Sequence, residues 1–217
     1  MIPLSDVIPS RTVPVVTIAL IVVNVLVFLY EQTLPQPLLQ QFVAAYALVP
    51  AWFSVPALFT SQFLHGGWMH IISNMLYLWI FGDNVEDRLG HVRYLVFYLG
   101  AGAAAAILQT LFDPFSSIPM VGASGAIAGV MGAYFVLYPY SRVLTAVFLI
   151  IFFDIIEIPA VFFLGVWFLL QLLSGVGSLA ITEAGGGVAF WAHIGGFVAG
   201  VMIGLVLRSR DDRWAAV

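Results

Sequence analysis

Long apolar segments, separated by shorter polar ones, run through the whole chain. About 20 mostly apolar residues suffice for a helix to cross the roughly 30 Å hydrocarbon core of a bilayer. On this criterion the pattern predicts six membrane-spanning helices, at residues 13–30, 62–81, 94–112, 122–138, 158–173 and 188–207. No basic region precedes the first segment and no cleavage site of small residues follows it. We therefore expect it to be retained as a helix and not removed as a signal peptide.

One further apolar segment, residues 143–153, does not fit this series. It is too short to cross a bilayer, and Asp154 and Glu157 follow it closely. A charged side chain at the centre of a bilayer costs about 2.5–3.5 kcal/mol on insertion scales. We therefore predict that residues 143–153 form an interfacial or re-entrant loop.

The longest loop between predicted spans, residues 31–61, has a helical pattern of its own. Leu38, Phe42 and Tyr46 recur at helical spacing and are set against Gln36 and Gln40. This amphipathic pattern predicts a short helix that lies on the lipid headgroups. We interpret it as a structural lid or plug.

The fourth and sixth predicted spans each carry glycines three or four residues apart. A Gly-x-x-x-Gly face allows two helix backbones to approach closely. The pattern therefore predicts that these two spans pack against each other. The glycines are Gly125, Gly129 and Gly132 in the fourth span and Gly196, Gly200 and Gly204 in the sixth.

The composition is that of a membrane protein and not of a soluble domain. Hydrophobic residues make up 62% of the chain and charged residues 8%, and the mean hydropathy is +1.07. Soluble domains are about 45–50% apolar and about 25% charged. The net charge of −4 leaves no basic surface for nucleic acid. The absence of cysteine excludes disulfides, a thiolate nucleophile and a cysteine-ligated metal.

The arginines indicate how the chain is oriented in the membrane. If the N-terminus is inside, all seven fall on one side, and the loops at residues 31–61, 113–121 and 174–187 contain none. The positive-inside rule then places both termini in the cytoplasm. We expect a multi-pass protein of the cell membrane. The arginines are Arg11, Arg88, Arg93, Arg142, Arg208, Arg210 and Arg213.

Four polar residues inside the predicted spans are candidates for a functional site, because polar groups within a membrane are costly. His70 and Asn74 are four residues apart and share one face of the second span. Ser124 begins the fourth span, and His193 lies in the sixth. In the predicted topology all four lie in the outer half of the membrane. They supply a hydroxyl nucleophile, an imidazole base and donors for an oxyanion, which together suit acyl transfer.

Other intramembrane chemistries lack the residues that they need. No histidine is followed by glutamate, so no metalloprotease motif is present, and we predict neither a metal nor a cofactor. Spans two, four and six contain no acid, which disfavours a paired-aspartate protease and leaves a Ser–His pair without a carboxylate partner. His193 would then be oriented by packing or by a neutral hydrogen bond. A proton-coupled transporter would need a buried acid or lysine, and the spans show none.

These motifs resemble those of the rhomboid serine proteases, in the compact six-span form typical of prokaryotes. The matching motifs are His70-x-x-x-Asn74, Gly-Ala-Ser124-Gly, Ala-His193-Ile-Gly-Gly and, after the second span, Gly82-x-x-x-Glu86-x-x-x-Gly90. The motifs occur in the order that the family has. The resemblance implies an all-α membrane protein in which residues 1–217 form a single six-helix rhomboid domain.

The resemblance also implies roles for individual residues. Ser124 would be the nucleophile, and His193 the general base and then the general acid. His70, Asn74 and the backbone N–H of Ser124 would surround the oxyanion, with Gly122 shaping the turn beside it. Glu86, by the same resemblance, would hold the inner loop.

The activity that the resemblance implies is intramembrane proteolysis, with transmembrane segments of other membrane proteins as substrates and the lipid bilayer as the medium. The alternative is a catalytically silent rhomboid-like protein that binds membrane clients. Silent members lose the serine or the histidine, whereas both are present here. Two positions depart from the family pattern. Ala128 stands where some members carry a tyrosine that packs on the catalytic histidine, and the loop at 31–61 lacks an arginine-containing motif.

Overall fold

The computed structural model of the chain describes residues 1–149, 152–178 and 189–214, and it is mainly helical there. The helical bundle predicted from the sequence is confirmed. The helices are α1 (Val15–Thr33), α2 (Gln36–Tyr46), α3 (Ala57–Thr60), α4 (Trp68–Leu89), α5 (His91–Phe112), α6 (Ser124–Leu137), α7 (Ala160–Ser178) and α8 (Phe190–Trp214). The strands are β1 (Ile2–Asp6), β2 (Arg142–Leu149) and β3 (Phe152–Pro159), and single 3-10 turns lie at Pro50–Trp52 and Ser61–Phe63.

Four helices in the described ranges are long and apolar enough to cross a membrane. They are α1, α5, α7 and α8, with mean hydropathies of 1.8 to 2.1. α6 is apolar but has only 14 residues, and the last turns of α4 carry acidic and basic side chains. The chain is therefore a helical membrane protein. The count of six spans, which α4 and α6 would complete, stays a prediction.

The second span begins later and ends later than the sequence predicted. Residues 61–63 form a 3-10 turn, and α4 begins only at Trp68, after the Gly66-Gly67 pair. The helix then continues beyond residue 81 to Leu89. Its inner end is polar, yet its acids are held by the N-terminal segment of the chain, as described below.

α1 also ends later than predicted, at Thr33, and this places Glu31 inside the helix and not in the outer loop. The side chain is only 2% exposed, and its carboxyl accepts a hydrogen bond from the backbone N–H of His65 at 3.2 Å. The prediction that the spans hold no buried acid is therefore wrong for α1, and also for α4, whose Glu86 is fully buried. The hydrogen bond between Glu31 and His65 links the end of α1 to the segment before α4. The sequence contains no pattern that predicts it.

The remaining elements follow the predicted pattern more closely. α5, α6 and α7 begin and end within five residues of the third, fourth and fifth predicted spans. The helix predicted in the loop at 31–61 is confirmed as α2, and its position on the headgroups stays a prediction. The predicted start of the sixth span at residue 188, most of the loop at 174–187 and the end of the chain at 215–217 lie outside the described residues.

α6 is the central helix of the bundle, and eleven of its fourteen residues are buried. It packs most closely against α8. A Cβ atom at Gly196 would overlap the carbonyl oxygen of Gly125, and one at Gly200 would overlap that of Gly129. Only glycine permits this approach of the two backbones. The predicted contact between these two helices is confirmed.

β1, β2 and β3 form one antiparallel sheet, in that order. Ile2 pairs with Ala146, and Arg142 pairs with Pro159. The prediction that residues 143–153 form a loop is therefore wrong, because the described part of this segment belongs to a β-hairpin, whereas its interfacial position stays a prediction. β1 supplies hydrogen-bond partners for one edge of the hairpin, and Thr145 is fully buried. The β-branched and aromatic residues of the hairpin favour strands. The strand that pairs with its edge, β1, lies some 140 residues earlier in the chain.

The sheet defines two ends of the bundle. We call the end that carries the sheet, the start of α1 and the end of α4 the inner end. The opposite end, where α4, α6 and α8 begin, is the outer end. Because β1 precedes α1 and the β2–β3 hairpin follows α6, the N-terminus and this hairpin lie on one side of the bundle.

Candidate active site

Three helix N-termini converge at the outer end of the bundle. Ser124 is the first residue of α6, His193 is the fourth residue of α8, and His70 is the third residue of α4. The first backbone N–H groups of a helix have no partner within the helix. The N-terminus of α6 therefore presents free donors beside the hydroxyl of Ser124.

Ser124 and His193 form a hydrogen-bonded pair. The Oγ atom of Ser124 lies 2.9 Å from Nε2 of His193, although the two residues are 69 positions apart in the chain. The close approach of α6 and α8 sets this distance, because Gly125 and Gly196 lie in direct backbone contact one and three residues further along. The pair is half-buried. The predicted partners are thus brought together by the glycine faces.

The second ring nitrogen of His193 is bonded to α7. Its Nδ1 atom lies 2.7 Å from Oε1 of Gln171. An amide oxygen can only accept a hydrogen bond, so Nδ1 carries the proton and Nε2 presents its lone pair to Ser124. The sequence analysis did not identify Gln171. The available signal was an amide side chain inside the apolar segment at 158–173.

The aromatic packing on His193 also comes from α7. The ring of Trp167 lies 5.9 Å from the imidazole, tilted by 39°. Trp167 precedes Gln171 by four residues, so both side chains project from the same face of α7. Ala128 is fully buried in α6 and contributes no ring. A tryptophan on a neighbouring helix thus occupies the role that a tyrosine at position 128 would have.

The predicted oxyanion residues surround Gly122. This residue has a φ of +121°, a conformation that favours glycine. A Cβ atom placed there would lie 2.6 Å from Nε2 of His70 and 3.7 Å from Nδ2 of Asn74. Within the described residues Asn74 Nδ2 is buried and has no hydrogen-bond partner. The space beside Gly122 is therefore bordered by two side-chain nitrogens that can donate to a ligand.

A cleft of about 1660 Å³ opens beside these groups. It lies between α4 and α7 and contains Ser124 and His193 in its lining, together with Tyr77 and Trp167. Toward the inner end the two helices are joined by ring contacts. The ring of Phe163 in α7 lies 6.5 Å from that of Tyr77 and 6.3 Å from that of Phe81, both in α4. These ring contacts close the cleft toward the inner end, whereas its outer part is open.

The motif at residues 82–90, which lies at the C-terminal end of α4, serves the inner end and not the cleft. Glu86 is fully buried, and its carboxyl accepts hydrogen bonds from the backbone N–H groups of Val16 and Thr17 at 2.9 and 2.8 Å. The hydroxyl of Thr17 donates a third bond at 2.7 Å, and Nδ1 of His91 lies 2.6 Å from the same carboxyl. Glu86 therefore caps the N-terminus of α1.

No cluster of three or more histidine, aspartate or glutamate side chains that could hold a metal ion occurs in the part of the chain that the structure describes. The groups gathered at the outer end are a hydroxyl, two imidazoles and two amides. Fold and site together define a class of protein: a helical membrane protein with a paired serine and histidine inside the bundle. A model of the rhomboid domain matches residues 52–210, and the chain belongs to the rhomboid family.

Known relatives agree with this assignment. The chain is 28% identical over 206 residues to Rhomboid protein 1, mitochondrial, of Saccharomyces cerevisiae, which covers 90% of this chain and 54% of the relative. It is 33% identical over 153 residues to RHOMBOID-like protein 4 of Arabidopsis thaliana, covering 70% and 34%. Identity reaches 43% over 76 residues with Rhomboid protease GluP of Bacillus subtilis, covering 35% and 14%. The chain spans about a third to a half of the length of the first two relatives.

Proposed function

We propose that this chain is an intramembrane serine endopeptidase that cleaves transmembrane segments of other membrane proteins. The hydrogen bond between Ser124 and His193, with Gln171 on the far side of the imidazole, carries the proposal. It joins a nucleophile to a base whose free lone pair faces the hydroxyl. The protease names of some relatives, such as Rhomboid protease GluP, are consistent with this activity.

The proposed reaction begins with attack of Ser124 Oγ on the carbonyl carbon of the scissile bond. Nε2 of His193 takes the hydroxyl proton as the bond to carbon forms. The oxyanion accepts hydrogen bonds from Asn74 Nδ2, from His70 Nε2 and from the backbone N–H of Ser124 at the start of α6. His193 then protonates the leaving amine, and the acyl-enzyme is released by water that enters from the outer end.

Substrate access through the cleft is part of the same proposal. A transmembrane helix in the bilayer would enter between α4 and α7, where the outer part of the cleft is open. The aromatic contacts of Phe163 with Tyr77 and Phe81 limit how far it reaches toward the inner end. Bond cleavage requires an extended backbone at Ser124, so local unwinding of the substrate helix favours the reaction.

Orientation and location complete the proposal. We place the inner end in the cytoplasm of a cell membrane, with both termini inside and residues 1–217 acting as one rhomboid domain. The arginine distribution supports this orientation. The pairing of β1 with β2 supports a single part of it, namely that the N-terminus lies on the same side as the segment after α6.

The decisive test is Ser124→Ala in cells that express a tagged reporter membrane protein. Removal of the nucleophile is expected to reduce cleavage by at least about 10³-fold, to the level of the uncatalysed background. A matched control is Ser54→Ala, because Ser54 is an exposed serine in the loop after α2. This variant is expected to cleave at the wild-type rate.

Labelling by a fluorophosphonate probe separates the protease from the silent alternative. Wild type and Ser54→Ala should be labelled, whereas Ser124→Ala should not. Undiminished cleavage by Ser124→Ala would overturn the proposed function. Absence of both cleavage and labelling in the folded wild-type protein would instead indicate a silent client-binding member of the family.

A further inference from the structure

α7 carries two side chains that contact the far side of the His193 imidazole, away from Ser124. Gln171 accepts a hydrogen bond from Nδ1 at 2.7 Å, and the ring of Trp167 lies 5.9 Å from the imidazole. The central helix α6 offers His193 neither a carboxylate nor an aromatic ring at position 128. Both contacts that hold the ring therefore come from one helix that carries no member of the Ser–His pair.

The geometry points to Gln171 as a positioning residue that fixes the tautomer and the orientation of His193. This inference rests on the proposed function insofar as it concerns the reaction rate. In a neutral histidine only one ring nitrogen carries a proton. If that proton lay on Nε2, this nitrogen would donate to Ser124 and could not take its proton. The amide oxygen of Gln171 favours the productive tautomer, because only a protonated Nδ1 satisfies it.

An amide suits this position better than a carboxylate would. Gln171 is only partly buried, and it lies on a helix whose neighbouring positions are apolar and exposed on the outside of the bundle. An ionised acid is expensive in such surroundings. A neutral oxygen orients the imidazole without that cost, and it also stabilises the imidazolium through the same hydrogen bond once His193 has taken the proton.

The test compares two substitutions at one position. Gln171→Met keeps the length and the helix propensity of the side chain but removes the acceptor. Gln171→Glu keeps an oxygen acceptor, and measurements at a pH where the carboxyl is ionised ensure that it can only accept. We expect Gln171→Met to lower kcat about tenfold with KM within about twofold of wild type, because the lost hydrogen bond acts on the base and not on the substrate. Gln171→Glu is expected to stay within about threefold of the wild-type kcat.

Leu170→Ala is the control for the packing of α7. Leu170 is 54% exposed and adjoins Gln171 in the chain, but it points to the outside of the bundle. Loss of its side chain is expected to leave kcat unchanged. A similar fall in kcat for Leu170→Ala and Gln171→Met would show that the rate follows the integrity of the helix and would overturn the inference.

A second measurement does not depend on proteolysis. In protein labelled with ¹⁵N-histidine, the four histidines give ring nitrogen signals that report the tautomer, and the His193 signals are assigned with His193→Ala. Wild type and Gln171→Glu should hold the Nδ1–H form, whereas Gln171→Met should show a mixture of both forms. An unchanged tautomer in Gln171→Met would overturn the inference.

The two proposals can fail separately. If Ser124→Ala still cleaves, the protease assignment fails, yet the nitrogen signals of His193 still decide whether Gln171 sets the tautomer. If Ser124→Ala is inactive while Gln171→Met retains the wild-type kcat and tautomer, the protease assignment stands and only the role of Gln171 is lost.

Discussion

The inner and outer ends of the bundle use their polar side chains in opposite ways. At the inner end, the carboxyl of Glu86 accepts bonds from the start of α1, and that of Asp87 accepts bonds from the backbone N–H groups of Arg11 and Thr12 at 2.5 and 3.0 Å. At the outer end, Asn74 Nδ2 is buried without a partner among the described residues. The carboxyls of Glu86 and Asp87 are occupied by the fold itself, whereas the amide nitrogen of Asn74 remains available to a ligand.

This difference separates stability from chemistry along one set of helices. α4 contributes to both ends, since Glu86 lies near its C-terminus and His70 and Asn74 lie near its N-terminus. Substitutions at the inner end should therefore reduce the free energy of unfolding with little effect on the turnover of folded molecules. Substitutions at the outer end should lower the turnover of folded molecules with little effect on the free energy of unfolding.

The largest effect is expected for Glu86→Gln. The amide keeps one acceptor oxygen but turns an NH₂ group toward the N–H donors of α1, and the free energy of unfolding should fall by about 3 kcal/mol. Titration with a denaturing detergent measures this loss, and kcat per folded molecule should stay within about twofold of wild type.

Glu157→Gln is the matched control for this prediction. Glu157 forms an exposed ion pair with Arg142 at 3.2 Å on the sheet. The loss of an exposed pair costs less than about 1 kcal/mol. Equal destabilisation by the two substitutions would contradict the role assigned to the buried carboxyl.

Asn74→Ala tests the outer end. Loss of one oxyanion donor is expected to lower kcat about 10²-fold. The free energy of unfolding should change by less than about 0.5 kcal/mol, because no hydrogen bond within the described residues is lost. Parallel measurements of kcat and of detergent unfolding make the comparison.

Asn24→Ala is the matched asparagine substitution. Asn24 is buried in α1, and its Nδ2 donates to the carbonyl of Leu20 at 2.7 Å, away from the cleft. This variant should retain the wild-type kcat. A large loss of stability in Asn74→Ala would show that its amide serves the fold and would remove the contrast between the two ends.

The smallest effect concerns Asp6, which lies in β1 and accepts a hydrogen bond from the hydroxyl of Tyr134 at 2.5 Å. Burial raises the pKa of Asp6 from 3.8 to about 6, and the bond from Tyr134 offsets only part of this rise. The folded protein therefore binds this proton more tightly than the unfolded chain does. Its contribution to stability is complete below the unfolded pKa and is lost as the pH rises through about 6.

Asp6→Asn should remove this pH dependence. Thermal unfolding of the protein in detergent, recorded between pH 4 and about 7, should show a flatter profile for Asp6→Asn than for wild type. Asp154→Asn, on an exposed position of β3, should keep the wild-type slope. If Asp6→Asn also retained that slope, another inner-end group would be its source.

The sequence predicted the bundle and the principal residues of the candidate site for identifiable reasons. Polar groups such as Ser124 and His193 stand out in apolar segments, and the glycine faces on α6 and α8 predict the contact that brings them within 2.9 Å. The polar residues are detected within a single segment, and the glycine faces are detected because two segments carry the same spacing. Periodicity and spacing suffice to detect them.

The parts that the sequence did not predict depend on contacts without such a pattern. In the sequence, the segment that forms β2 and β3 looks like a short apolar loop. Its pairing with β1, which lies far away in the chain, has no signal there. Gln171 is one amide in an apolar segment, and only the packing of α7 against α8 shows that it contacts His193. Glu31 lay one residue beyond the predicted first span, where a boundary error of a single turn changes its surroundings.

The pairing of Ile2 with Ala146 also constrains how the molecule is made. A ribosome releases β1 first, but the strand that completes its hydrogen bonds is synthesised only after α6. During that interval β1 lacks its hydrogen-bond partner. The contact between Glu86 and α1 can form, but the sheet at the inner end cannot. Contacts between residues so distant in the chain form slowly. We therefore expect the sheet to form late in folding, after the helix that carries Ser124 has been synthesised.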